Sequence, residues 1–275
     1  MEMQMLHVFR NTPHGRETLL QTAYFCKSAG ISPVVYIPGH LKFLMYFDND
    51  VVQVDLNPSY LRSPATARDH AADVFADLGL PPPKFIVPKH FTASALPDIP
   101  VDFDFMTCPH SISDLSARIG PGYVGPRVRR ILQSARFPVL IPSAVYKPFN
   151  RIAVLFGDPA NAVRAFRLGV RLGRLMEMPV TLFTRENRHG KTDYEGLLAK
   201  KGLSVDLEQS VTEWHVLPDH DFEDNLYRVP HDALVVLGAA GHGLIRSLLF
   251  GSIMEKIQTV LPNSLLIVGQ NYRSV

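Results

Sequence analysis

Short apolar runs alternate with segments of helical period along this chain, and the pattern is clearest in the second half. Ile152-Ala153-Val154-Leu155-Phe156 stops at Gly157-Asp158-Pro159, after which apolar residues return every third or fourth position. Strand, turn and helix are predicted there. Asp158 stands where a side chain can accept from a free backbone N–H at the helix start, Pro159 suits the first helical position, and Val163, Phe166 and Val170 follow on one face. The helix is expected to reach about Met178. Val180 to Thr184 reads as the next strand and the polar stretch from Arg185 to Lys191 as loop. A helix near Tyr194 to Lys201, a strand over Val211 to Val216 and a short helix over Phe222 to Val229 come next. The unbroken apolar run Ala233 to Leu237 predicts a strand buried on both faces. Ile253, Ile257, Val260 and Leu261 mark a last helix, and Leu265 to Val268 a last strand. Repeated βαβ order implies a mainly parallel sheet with right-handed crossovers.

The first half matches this pattern at its two ends. Leu6-His7-Val8-Phe9 followed by Asn11-Thr12-Pro13 mirrors the Ile152 strand and its turn, with Thr12 in the capping place. Gly125 to Ile131 followed by Pro138 to Ile141 repeats the spacing of Gly251 to Ile257 and Ser264 to Ile267. A diverged duplication is inferred. Between those ends, Phe43 to Tyr60 and the Pro81-Pro82-Pro83 region have no counterpart. The boundary is placed near Tyr146-Lys147-Pro148, dividing the chain into 1–146 and 147–275.

Composition narrows the function classes. A chain of 275 residues suits two domains at roughly 150 residues each. Hydrophobic residues at 46% and charged residues at 20% argue for a folded globular protein and against disorder. The formal charge of +2 is too small for whole-molecule electrostatics to recruit nucleic acid or membrane, so any anion site must be local. Cys26 and Cys108 lack the spacing of a disulfide framework, a zinc site or a redox pair and read as buried thiols. No stretch approaches about 18 apolar residues and the first residues lack a basic start, so a cytoplasmic location is expected.

The candidate chemistry lies after the fourth strand of the second half. Gly238 ends that strand, Gly241, His242 and Gly243 follow, and Gly251-Ser252 precedes the last helix. Glycine lets phosphate oxygens approach the backbone, and free N–H groups at a helix start supply donors. Ser252 adds a hydroxyl. The alternative is structural: Gly238 ends a strand and Ser252-Ile253-Met254-Glu255 forms a capping box. The segment is neither the ATPase P-loop, which ends in Gly-Lys-Ser/Thr, nor the dinucleotide fingerprint.

Gly, two residues, Gly, nine residues, then Gly-Ser, here Gly238, Gly241, Gly251 and Ser252 followed by Ile253-Met254-Glu255-Lys256-Ile257, resembles the nucleotide-binding signature of the universal stress protein family. The resemblance covers residues 148 to 275 well and the first half through its ends, as in a tandem member with one degenerate copy. It implies two tandem five-stranded parallel-sheet α/β domains, Rossmann-like and of the adenine-nucleotide alpha hydrolase-like kind. It also implies ATP, ADP or AMP, with Mg as companion ion, laid across the strand ends by Gly157, Asp158, Gly238, Gly241, Gly243, Gly251, Ser252 and Ile253; His242, inside the loop, is a phosphate contact or an exposed loop histidine. Regulation or stress response is implied more than turnover. Thr184 and Arg185 fall where the family recognises adenine through backbone groups. The family places aspartate directly after the first strand, followed by glycine; here the order is Gly157-Asp158, which shifts the acid by one. The final strand Val139 to Ile141 is implied to pair edge to edge with Leu265 to Val268.

The matching stretch of the first half, Met106 to Ser111, has no glycine, and Pro126 stands where Ser252 does, removing a hydroxyl and an N–H donor. That copy is expected to bind no nucleotide. His215, Asp219, His220 and Asp221 carry metal-capable side chains without a period that unites them, so no metal site is expected. Arg164, Arg167, Arg171 and Arg174 form a helical stripe, read as a solvated face with an acidic partner as the alternative. No catalytic group is assigned, and without a base or lysine at the phosphates hydrolysis is at most slow. The partners expected are an adenine nucleotide and an unidentified protein, with the two halves forming an intrachain pseudo-dimer that could itself dimerise. A nucleotide-free interaction protein is the alternative, and a nucleotide-using transferase ranks below it.

Overall fold

In a computed structural model, the residues described are 2–88, 96–109, 112, 124–157, 159–186, 191–218, 222–238 and 261–273. Ten strands form one sheet. From one edge to the other they are β11 (Val211–Leu217), β10 (Val180–Arg185), β9 (Arg151–Phe156), β12 (Ala233–Gly238), β13 (Leu265–Val268), β8 (Val139–Ile141), β7 (Phe105–Thr107), β1 (Gln4–Val8), β2 (Ser32–Tyr36) and β5 (Lys84–Ile86). Neighbours are parallel except β8 and β13, which pair antiparallel with Leu265 opposite Ile141 and Ile267 opposite Val139. The expected edge-to-edge pairing is present. It removes two exposed sheet edges and makes one continuous sheet from two five-stranded halves.

One face is covered by helices in both halves. Helix α1 (Pro13–Ala29) starts as its sequence predicts: Thr12 Oγ1 accepts from the Gly15 N–H at 3.1 Å, Pro13 takes the first position, and Gly30 closes the end at φ 63°. Helix α4 (Pro159–Met176) occupies the same place after β9. It approaches the sheet closely because Gly169 and Gly173 carry no Cβ; one added there would meet Val154 and Val180 methyls at 2.4 Å. Phe25 of α1 and Phe166 of α4 share a buried cluster with Met5, Ile152, Val154 and Leu266 from the sheet. The segment around the expected boundary lies along α1. Tyr146 N–H donates to Glu17 and Lys147 N–H to Gln21, both at 2.9 Å.

The opposite face differs between halves. In the second, α7 (Phe222–Leu226) and the turn after it contribute Leu226 and Val229. In the first, a separate three-stranded sheet lies on this face: β3 (Lys42–Phe47), β4 (Asp50–Asp55) and β6 (Asp98–Ile99), in the order β4-β3-β6. The unmatched stretch from Phe43 is therefore an antiparallel hairpin. After it, α2 (Ala67–Asp77) returns to the first face, where Ala71 and Phe75 pack with Leu19 and Ala23. Helix α3 (Pro126–Ser134) holds the hairpin through its basic face. Arg127 Nη2 meets Asp55 at 2.8 Å, Arg130 Nε and Ser134 Oγ both reach Asp50 at 2.9 Å, and Arg136 pairs with Asp48.

Several sequence expectations need correction. Strand β10 continues through Arg185 and α5 (Lys191–Lys200) begins at Lys191, so the intervening loop is shorter than its polar composition suggests. Helix α4 stops at Met176 because Glu177 adopts φ 55° and the Met178 N–H turns back to the Gly173 carbonyl at 2.9 Å. The short helix ends at Leu226. Helix α6 (Ser204–Ser210) was not expected; Leu203 precedes it without a side-chain cap and Val205 is 58% exposed, so neither a cap nor an apolar period marks it.

Candidate functional site

Sheet order places the candidate site. Strands β9 and β12 are parallel neighbours, with Leu155 opposite Leu237, yet the chain leaves β9 toward β10 and leaves β12 toward β13. The strand order thus reverses between β9 and β12, and in open α/β sheets ligands bind outside the carboxyl ends of the strands at such a point. Strand β12 is buried along its whole length to Gly238, as its unbroken apolar run predicts. Half-buried Gly157 follows Phe156 at the end of β9. Gly157 and Gly238 thus stand at adjacent strand ends. Asp158, Gly241, His242, Gly243, Gly251, Ser252 and Ile253 lie outside the described residues, as does the last helix up to residue 260.

The end of β10 carries groups that sequence reasoning missed. The Thr184 hydroxyl accepts from Trp214 Nε1 at 2.9 Å, and the Arg185 carbonyl accepts from the Tyr194 hydroxyl at 2.9 Å. Glu186 N–H donates to the Leu217 carbonyl at 2.7 Å. Lys191 Nζ lies 5.0 Å from the centre of the Trp214 ring, a cation–π contact. Tyr194 also packs edge-on to Phe156 at 5.8 Å between centroids. The side chain of Thr184 and the carbonyl of Arg185 therefore already bond within the fold. Trp214, the single tryptophan of the sequence, was the available signal.

The corresponding strand ends of the first half are built differently. Val8, Tyr36 and Cys108, at or just past the ends of β1, β2 and β7, belong to one buried apolar cluster with Phe43, Leu56 and Tyr60 of the inserted segment and Val124 before α3. Tyr36 and Phe43 meet edge to face at 5.5 Å between centroids. Below them on the helical face, buried His7 bonds through Nδ1 to Thr22 Oγ1 at 2.9 Å, and Thr22 meets Thr107 at 3.0 Å. Burial pushes the His7 pKa down to about 3. Desolvation raises the thiols of Cys26 and Cys108, which are free and buried, so neither supplies a thiolate.

The remaining candidates resolve as follows. The α4 arginine stripe bonds to the chain itself. Arg164 donates to the Gln270 carbonyl at 2.6 Å, Arg167 to the Lys201 carbonyl at 3.3 Å, Arg171 to Met3 Sδ at 3.4 Å, and Arg174 to Asp206 at 2.7 Å. Arg167, Arg171 and Arg174 are exposed, so the stripe is the solvated face expected of it, tied down by these bonds. His215 stacks on Phe183 at 5.0 Å and pairs with Glu213 at 3.1 Å. Asp219, His220 and Asp221 are outside the described residues, among which no group of three metal-capable side chains occurs. Among the same residues no helix is long and apolar enough to cross a membrane.

No protein-family model matches the sequence, and no curated protein sequence matches it. Solved structures do match its fold. A universal stress protein from Archaeoglobus fulgidus superposes with a TM-score of 0.61 at 14% identity, over 98% of this chain and 97% of that one. The cytoplasmic domain of a prokaryotic cation chloride cotransporter gives a TM-score of 0.56 at 10% identity, over 98% and 96% of the two chains. The chain has the universal stress protein fold over 98% of its length.

Proposed function

We propose that this chain binds one adenine nucleotide, ATP or its ADP or AMP products, in its second half and acts as a regulatory or stress-response protein. The carrying observation is the pair of glycine-bearing strand ends, Gly157 after β9 and Gly238 closing β12, at the point where the sheet order reverses. Spacing of Gly241 and Gly251-Ser252 behind Gly238 supports phosphate at that point. The roles fall to backbone N–H groups and the Ser252 hydroxyl for the phosphates, with Asp158, His242, Gly243 and Ile253 around them and the β10 end, Thr184 and Arg185, beside the base. Mg would bring charge neutralisation to the phosphates. With no base or lysine assigned there, binding exceeds turnover. We divide the chain at 146/147, with the first unit serving as the packing partner of the second through the β8/β13 seam, and expect the whole to work in the cytoplasm.

Calorimetric titration with ATP, and mass spectrometry of any nucleotide that co-purifies, test this reading. One nucleotide per chain is expected. Gly251→Val, which fills the space a phosphate oxygen needs, should cut affinity well over tenfold, since each charge-assisted bond lost is worth about 1.5–3 kcal/mol. Unchanged affinity in a folded Gly251→Val protein refutes the site. A second reading, a nucleotide-free interaction protein, is favoured by one observation: the first half keeps this fold with its strand ends closed by its own apolar side chains. Absence of any ATP binding would select it.

A further inference from the structure

A cavity of about 440 Å³ lies at the seam between the two halves, beside the residues that precede β8 and follow β13. That volume falls within the range of small-molecule sites, about 300–1,000 Å³. The hairpin turn at 48–50, the end of α3, Arg164 of α4 and residues 270–273 form its wall. Asp48 is paired with Arg136. Asp50 is neutralised from outside the cavity by Arg130, and with Ser134 as a further donor its carboxyl is held down to about 2. Arg164 donates to the Gln270 carbonyl, and Arg273 joins the wall with its backbone N–H on the Arg136 carbonyl at 3.3 Å. Three arginines, Arg136, Arg164 and Arg273, thus line the cavity with two carboxylates, Asp48 and Asp50, while Arg130 reaches Asp50 from outside it.

Both carboxylates are committed to arginine, which argues against a cation. The polar wall argues against an apolar ligand. Guanidinium forks match the geometry of phosphate and carboxylate oxygens. We propose that this cavity binds a small polyanion bearing phosphate or carboxylate groups. Arg136 and Arg273 are its principal anchors, and the Asp48 carboxylate holds the ligand's place on Arg136 until displaced. Asp48 and Arg136 side chains are 42% and 48% exposed, so exchange between them and a ligand requires no opening of the core. None of the residues assigned to the nucleotide lines this cavity.

Calorimetry of the full chain at low salt, with tripolyphosphate in one arm and citrate in the other, tests the proposal. A saturable site with Kd below about 1 mM is expected. The double substitution Arg136→Gln with Arg273→Gln should weaken it by about tenfold or more. Asp48→Asn should tighten it several-fold by removing the competing carboxylate. Binding confined to tripolyphosphate assigns phosphorylated ligands, and binding confined to citrate assigns carboxylates. Gly251→Val should leave the site intact, which separates it from the nucleotide site. No saturable binding of either probe, or binding indifferent to the arginine and Asp48 substitutions, overturns the proposal.

Discussion

The two halves of this molecule share a strand order and differ in what closes their strand ends. In each, the first and fourth strands lie side by side and the fifth reaches the central seam. The second half ends these strands in glycines, Gly157 and Gly238. The first ends them among Tyr36, Phe43, Tyr60 and Val124, with a hairpin clamped over them by α3. Strand order is set by crossovers and buried apolar runs and survives duplication; the capacity to admit a ligand belongs to the connections and can be lost without disturbing the sheet. Phe43→Ala tests this most severely. Phe43 is fully buried, so truncation should cost about 3–5 kcal/mol in chemical denaturation. ATP stoichiometry should remain one per chain, because Pro126 and the glycine-free stretch 106–111 still bar the phosphates. A second ATP site in this variant would show that the hairpin alone excludes nucleotide.

Acid should distinguish the halves next. The helical face of β9 presents Ile152, Val154 and Phe156, whereas β1 places His7 on that face. Its folded pKa is lowered from 6.5 to about 3. Above pH 6.5 the imidazole is neutral in both states and stability is unaffected. As pH falls below 6.5 the unfolded chain takes up a proton that the native state refuses, so stability drops at about 1.4 kcal/mol per pH unit, or about 2 kcal/mol by pH 5. Urea midpoints of wild type and His7→Gln compared across pH 7 to 5 check it. The wild-type loss should be steeper by that amount; parallel slopes refute the assignment.

Much of this contrast was legible in the residues. The runs at 152–156, 233–237 and 265–268 are strands because a sheet covered on both faces leaves no room for polar alternation, and Thr12 announced its helix by cap chemistry alone. The absence of glycine at 106–111 foretold a first half unlike the second. The means of closure was not legible: a continuous apolar segment such as Phe43 to Phe47 does not reveal which surface it will cover. Helix α6 was hidden because it has neither a side-chain cap nor a buried apolar residue. The arginine stripe was rightly read as a solvated face, but its acceptors, the Gln270 and Lys201 carbonyls, Met3 and Asp206, are distant or unremarkable in sequence and were not foreseen. The end of β10 was incomplete without Tyr194 and Trp214, which the fold brings to it from two other elements.

The smallest expected effect concerns the clamp that gives the first half its closed form. Asp50 receives Arg130 and Ser134, and its carboxyl is lowered from 3.8 to about 2, chiefly by the Arg130 hydrogen bond. A depressed carboxyl contributes stability that is present above its unfolded value and lost as pH falls through the folded one, so the window lies between about pH 4 and pH 2. The pair is partly open to solvent, with Arg130 46% and Asp50 26% exposed, and its worth stays below about 1 kcal/mol at neutral pH. His7 also loses stability in acid, so absolute midpoints cannot isolate the clamp. The difference between wild type and Asp50→Asn can, because the His7 contribution is common to both. That difference should be constant from pH 7 to about pH 4.5, shrink below pH 4, and diminish at neutral pH when salt is raised to 1 M. A gap that stays constant to pH 2 would mean that Asp50 acts through packing and neutral hydrogen bonds. The hairpin would then be held over the first half by its apolar face alone.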